Sequence, residues 1–383
     1  MRPRRTGNRH RASSGSVHLG RVTAFLAALA VLVGLGLITV PMVAVGARQP
    51  QQAPRTRERQ RLLASPHAPR KPGSAKATTS FNHIGKYQVG TVRFAIVEHA
   101  GPGGYLVRPL PTRVWYPAYR SAGRLVPDRS DAPYPLVVFS QGYDIPVSAY
   151  EGLLVDLASA GFVVAAPTYP YTVASYPGGL DEADIVNHPA DLRFVIAALL
   201  HLAGQPGSAL TGLVNPARVG LMGHSDGGDV SLAVADNTCC RDPLVKAVAV
   251  LSGAELVSFG GEYFTGPPVP ILVAQGSADT VNVPACSTQI YDAARGPKYY
   301  LDLFGAEHEP PYAGPLSGPK NDRLIVAQVA TYFFDAELGA QKGALAAIAR
   351  AGDVPRTSLV SIGGQLPSAP GGCPGAPEGT PAL

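Results

Sequence analysis

The sequence predicts an α/β fold for residues 81–340: a mostly parallel sheet of eight strands with helices on both faces and little or no cap domain. Two observations lead there. Short apolar, β-branched runs alternate with stretches whose apolar residues recur every three or four positions, the pattern of strands joined by crossover helices. The second run from the end of this region is separated from the one before it by only about 19 residues, too few for an extra helical layer over the sheet.

Taken in order, strands are expected at 87–98, 113–116, 136–140, 162–167, 218–222, 245–251, 271–275 and 299–304. Helices are expected between and after them at 149–160, 183–202, 226–236, 285–294 and 320–336. The first two strands have no helix between them, so they read as an antiparallel hairpin at the sheet edge. Residues 341–383 read as one more helical stretch, 341–350, followed by a Pro/Gly-rich tail.

The chain has 383 residues and is 46% hydrophobic, enough for one large domain with appendages. Its formal charge of +5 comes wholly from the N-terminal part, because residues 1–80 carry 14 Lys and Arg against the single acid Glu58. The remainder is net acidic, which argues against nucleic acid as a partner. The basic segment 1–21 precedes a charge-free stretch, 22–47, longer than the roughly 20 residues that span a bilayer. It reads as a signal-anchor or a long signal peptide. The apolar length exceeds that of a usual cleaved signal and favours the anchor. Residues 48–80 are basic, Pro-rich and aperiodic, a disordered linker. The expected location is thus the membrane, with the folded domain outside the cytoplasm, or the exterior after secretion.

Four cysteines, Cys239, Cys240, Cys286 and Cys373, show no metal-ligand spacing and suit disulfides in an oxidising compartment. The favoured pairing joins Cys286 to Cys373, which would tie down the tail, and Cys239 to Cys240. Four free thiols are the alternative.

The chemistry centres on Gly223-His224-Ser225-Asp226-Gly227, which follows a strand and opens a helix. A Ser hydroxyl is a weak nucleophile that must project from a tight strand-to-helix turn, and flanking glycines give that turn clearance. Such a Ser needs an imidazole to take its proton and a carboxylate to orient the imidazole. His308, in Gly305-Ala306-Glu307-His308, is the only His after residue 225. Asp279 follows the seventh strand. Glu255 is its rival, and Asp302 lies within a strand. The oxyanion of an acyl-transfer intermediate calls for two backbone N–H donors, expected from Asp226 and from Tyr143 in Ser140-Gln141-Gly142-Tyr143. The Asp226 side chain reads either as a helix-start acid or as a contact for a polar or cationic substrate group. Gln141, Tyr143 and Tyr169 are candidate substrate contacts, with Tyr171 near them; Trp115 reads as core. His224 is expected to pack behind the elbow, and His188 and His201 read as structural.

These segments, together with Thr112-Arg113-Val114-Trp115-Tyr116-Pro117 and His188-Pro189-Ala190-Asp191-Leu192-Arg193-Phe194-Val195, resemble the α/β-hydrolase superfamily. Within it they are similar to the group around platelet-activating factor acetylhydrolase, dienelactone-hydrolase-like proteins, chlorophyllase and cutinase-like polyester hydrolases. The resemblance implies a serine carboxylesterase that cleaves lipid, acetyl or polymer esters through an acyl-enzyme on Ser225, with no metal and no organic cofactor. The sequence departs from the group at Gln141, where many relatives have His, and at Asp226, where polyester hydrolases commonly have Met. Two other readings are a catalytically idle binding protein of the envelope and a serine peptidase. An intact triad argues against the first, and the second usually brings a cap or propeller domain.

Overall fold

The computed structural model describes residues 84–99, 107–314, 322–339, 341–367, 369 and 371–373. The apolar stretch 22–47, the basic segment 1–21 and the linker 48–80 lie outside these residues. Among the described residues no helix is long and apolar enough to cross a membrane.

One mixed sheet organises the described chain. Its strands are β1 (Gln88–His99), β2 (Val107–Ser121), β3 (Arg124–Pro127), β4 (Tyr134–Ser140), β5 (Val163–Pro167), β6 (Val214–His224), β7 (Val245–Leu251), β8 (Ile271–Gly276), β9 (Lys298–Leu303) and β10 (Ser358–Ile362). The helices are α1 (Glu151–Ala160), α2 (His188–Gly204), α3 (Asp226–Asp236), α4 (Pro284–Ala293), α5 (Asp322–Glu337) and α6 (Ala344–Gly352). The spatial order is β1-β2-β5-β4-β6-β7-β8-β9-β10, with β3 paired to β2. Strands from β5 through β9 run parallel, and β1, β2 and β10 complete the edges antiparallel.

Central strands covered on both faces must be apolar throughout, and β4, β7, β8 and the second half of β6, from Val219 on, are buried along nearly their whole length. One face packs on α2, α3 and α4, through residues such as Leu192, Val230 and Ile290. The other packs on α1, α5 and α6, through Leu154, Phe333 and Ile348. The chain leaves β4 for α1 on one face and β6 for α3 on the other. The C-terminal ends of these two adjacent strands therefore open a crevice, the usual ligand site of an open parallel sheet.

The sheet has ten strands where the sequence suggests eight. The second strand is much longer than 113–116 because its prolines do not interrupt it. Pro109, Pro111 and Pro117 share one parity, so the edge on which they lack an N–H is the same for all three. That edge faces away from β1: the Pro111 carbonyl accepts from Thr168 and the Pro117 carbonyl from Asp128. β5 pairs with β2 only over Thr112–Trp115, so no ladder bond is lost at the prolines. Helix α2 starts at His188 rather than 183, preceded by a 3₁₀ turn over Glu182–Asn187. Pro189 fits the first turn of a helix but not its interior, which sets that start. Beyond residue 340 the chain does not trail off. Ile348 of α6 is fully buried and β10 pairs with β9, so the packed body continues to residue 362.

Candidate active site

Ser225 stands where β6 ends and α3 begins, with φ 54° and ψ −129°. This left-handed conformation costs a non-glycine residue on the order of 1–3 kcal/mol and persists only where its surroundings enforce it. They do so through close backbone approach. A Cβ on Gly223 would lie 1.9 Å from the Gly227 carbonyl oxygen, and one on Gly227 would lie 2.1 Å from that of Ser140. The turn is thus pressed against the end of β4, and Ser225 is left 9% exposed at the crevice.

The loop after β9 carries His308 into the same place. Ser225 Oγ lies 2.9 Å from His308 Nε2, and His308 Nδ1 lies 2.8 Å from Asp279 Oδ2. Asp279 is buried on the loop after β8. Burial works to raise its carboxyl, yet the hydrogen bond and charge of His308 and the Val281 N–H hold it below the ordinary range. Its Oδ1 accepts from the N–H groups of Val281 and Asn282 at 2.9 and 3.1 Å. Gln275 Nε2 donates to Oδ2 at 3.2 Å. Glu255, the rival acid, is buried elsewhere, and burial pushes its carboxyl up to about 7.

The loop after β4 faces the elbow. Its N–H groups are committed in sequence, that of Gly142 to Tyr150 Oη, of Asp144 to the Thr172 carbonyl and of Ile145 to the Gly142 carbonyl. The Tyr143 N–H lies between these. Gln141 and Tyr169, expected to contact substrate, are instead buried walls. Gln141 Nε2 donates to Thr172 Oγ1 at 2.9 Å. Tyr169 bonds Ser140 Oγ through its hydroxyl at 2.9 Å and stacks on His188 with ring centres 4.7 Å apart. Each is 1% exposed, which leaves no surface for a substrate. Gln141 follows β4 and Tyr169 follows β5; the inward turn of their side chains is a matter of packing.

Asp226 follows Ser225 as the first residue of α3. Burial, with Glu182 adding to it, pushes its carboxyl up to about 6. Its Oδ2 is buried without a partner among the described residues. Neither sequence expectation for this side chain includes an unpaired oxygen held beside the elbow.

Asp184, His188 and Asp191 converge closely enough to ligate a cation. The cation there is the guanidinium of Arg108. Its Nη1 and Nη2 reach both oxygens of Asp184 at 3.0 and 2.7 Å, and its Nε and Nη2 reach both oxygens of Asp191 at 2.7 and 2.6 Å. This bidentate clasp fills the donor set, so these residues form a structural ion cluster under the 168–187 loop.

Disulfides join Cys239 to Cys240 and Cys286 to Cys373. Several residues that support the site carry no sequence signal of their own. Tyr150 is contributed by a 3₁₀ turn, Val147–Tyr150. Tyr312 hydrogen-bonds Ser252 Oγ and the Ala274 carbonyl. Gln275 is read from the sequence only as the end of a strand.

A family model described as Chlorophyllase matches residues 124–257. That stretch holds the 140–143 loop and the elbow, and ends before Asp279 and His308. A curated relative, Cutinase est2 of Thermobifida alba, is 29% identical over 192 residues, 49% of this chain and 57% of the relative. The chain therefore spans little more than half the length of that relative. The sheet order, the elbow between β6 and α3 and these two matches place the chain in the α/β-hydrolase superfamily, in the group that resembles chlorophyllase and cutinase.

Proposed function

We propose that this protein is a serine hydrolase of carboxylic esters, with Ser225 as nucleophile, His308 as general base and acid, and Asp279 as the carboxylate that orients it. The observation that carries the reading is the unbroken line of contacts from Ser225 Oγ through the His308 ring to Asp279 Oδ2, at 2.9 and 2.8 Å. The likeness to a cutinase and to the chlorophyllase model supports esters as the substrate class.

In this reading, Ser225 Oγ attacks the ester carbonyl carbon while its proton passes to His308 Nε2. The carbonyl oxygen gains the negative charge and is met by the N–H groups of Asp226 and Tyr143. On collapse, the C–O bond to the alcohol breaks and His308 returns the proton to the leaving oxygen. A water then attacks the acyl-enzyme, giving its proton to His308, and release of the acid restores the Ser225 hydroxyl. Asp279 stays ionised throughout, keeps Nδ1 protonated and stabilises the imidazolium. The apolar stretch 22–47 and the two disulfides support a site of action outside the cytoplasm, either anchored or secreted.

The test is to incubate the full-length chain with a panel of p-nitrophenyl esters and a fluorophosphonate probe, beside Ser225→Ala. Turnover and labelling by the wild type but not the variant are expected. Equal turnover by the variant, or an unlabelled wild type, sinks the proposal.

A further inference from the structure

Besides Asp279 on the loop after β8, the groups that the proposed reaction needs arrive from three separate segments: Ser225 from the β6–α3 turn, the 140–143 loop from β4 and His308 from the loop after β9. Local backbone geometry cannot fix the distances among them. One buried side chain reaches all three. His224 has no exposed surface and is covalently adjacent to Ser225. Its Nδ1 lies 2.8 Å from Tyr150 Oη, and its Nε2 lies 3.0 Å from the backbone oxygen of His308. Tyr150 Oη is 3.2 Å from the Gly142 nitrogen.

Chemistry assigns the protons. A carbonyl oxygen only accepts, so His224 Nε2 carries a hydrogen. Burial, with the charge of His308 second, pushes the imidazole down to about 3, so at neutral pH it is uncharged and Nδ1 keeps its lone pair. Tyr150 must therefore donate to Nδ1, and its oxygen accepts from the Gly142 N–H. Every donor in this chain has one acceptor, and no proton is left over. Packing fixes the ring as well: its centre lies 4.8 Å from those of both Tyr312 and His308. A Cβ at residue 142 would come within 3.3 Å of Nδ1, so the glycine allows the loop to approach.

We infer that His224 is a positioning residue: through Tyr150 and Gly142 on one side and the His308 carbonyl on the other, it holds the oxyanion loop and the loop of the base at fixed distances from Ser225. This rests on the reading of Ser225 and His308 given above and goes beyond it, because the chemistry itself asks nothing of the side chain at residue 224. The linkage also commits the Gly142 N–H to Tyr150, so the oxyanion donor proposed for this loop is the Tyr143 N–H.

The test uses the full-length protein and three variants. His224→Phe keeps a ring but removes both hydrogen bonds, His224→Gln restores an amide that can donate and accept, and Tyr150→Phe deletes the one hydroxyl that joins Gly142 to His224. His224→Phe is expected to lower kcat on a p-nitrophenyl ester by about 30- to 100-fold while KM stays within about threefold, because a displacement of about 1 Å is felt in the transition state. His224→Gln should be faster than His224→Phe. Tyr150→Phe should lose about tenfold in kcat, and the double variant should be no slower than His224→Phe alone, since both break one chain of contacts.

The inference is overturned if His224→Phe keeps kcat within about twofold of wild type, a change too small for a misplaced group. It is equally overturned if the Gln variant is no faster than the Phe variant, or if the losses add in the double variant. Should His224→Phe fail to fold, Tyr150→Phe decides: at an unchanged melting temperature, a tenfold loss supports the inference and an unchanged kcat ends it. Fluorophosphonate labelling of the wild type separates the two readings. An unlabelled wild type removes the hydrolase proposal itself, whereas a labelled wild type with unimpaired variants removes only the positioning role.

Discussion

Arg108 and Asp191 meet fork to fork, Nε on Oδ1 and Nη2 on Oδ2, in a pair that is 1% and 0% exposed. Asp191 belongs to α2 and Arg108 to β2, the second strand of the sheet, so the pair pins the helix to the sheet. Asp184 closes the other side of the guanidinium and ties in the 3₁₀ turn before the helix. A buried charge stripped of its partner is costly, since desolvation remains while the attraction is gone. Arg108→Leu should therefore destabilise the fold by about 3–5 kcal/mol in denaturant unfolding. A loss below about 1 kcal/mol would mean the cluster is no more than a surface pair.

Buried neutral histidine makes stability depend on pH. His224 titrates at an ordinary value in the unfolded chain and near 3 in the folded one. Between those values the unfolded state binds the extra proton, so its contribution is full above about pH 6.5 and is lost progressively as pH falls toward 3. Unfolding free energy measured from pH 7 to pH 4 should fall steadily, and the slope should be shallower in His224→Gln. Equal slopes in the two proteins would contradict this.

Asp226 has the opposite sign. Its carboxyl is raised to about 6, so the folded state holds the proton more tightly and the group's effect worsens as pH rises from about 4 to 6. Asp226→Asn should be more stable than wild type at pH 7.5, by on the order of 1–3 kcal/mol, with the gain vanishing near pH 4. Thermal melts at both values check it. A gain that is the same at both values would point to hydrogen bonding rather than charge.

Asp279→Asn removes the acceptor that keeps the His308 Nδ1 proton in place. An amide can present its NH₂ to that nitrogen and favour the wrong tautomer, so kcat should drop by about 10⁴-fold with the fold intact. Steady-state turnover with a circular dichroism control measures this, and a drop below about tenfold would move the role to another acid.

Cys286 and Cys373 are 87 residues apart, and their bond closes a loop around β9, α5, α6 and β10. Cys373→Ser should lower stability by about 2–5 kcal/mol, and mild reduction of the wild type should reproduce the loss. An unchanged midpoint would show that the tail adds nothing to the fold.

The order of strands and helices, the elbow at Ser225 and the candidate partners Asp279 and His308 were legible from residue pattern alone. Alternation of apolar periods reports which faces are buried, and a nucleophile on a strand-to-helix turn needs its glycines next to it in the chain. Each of these signals is local. Strands hidden by composition escaped: β10 has only five residues in a Pro/Gly-rich stretch, and most of β2 carries prolines whose harmlessness depends on which edge they face.

What the sequence could not decide is what a side chain meets once distant segments converge. Gln141 and Tyr169 occupy crevice positions in the chain yet turn inward, because Thr172, Ser140 and His188 offer them partners there. Tyr150, Gln275 and His224 have no distinguishing spacing, and their contacts cross 4 to 84 positions of sequence. The chain itself determined the strand-to-helix turn and the residue types that the proposed chemistry draws on. Only the tertiary structure decided which groups stand behind it, because hydrogen bonds between loops depend on distances that no local periodicity records.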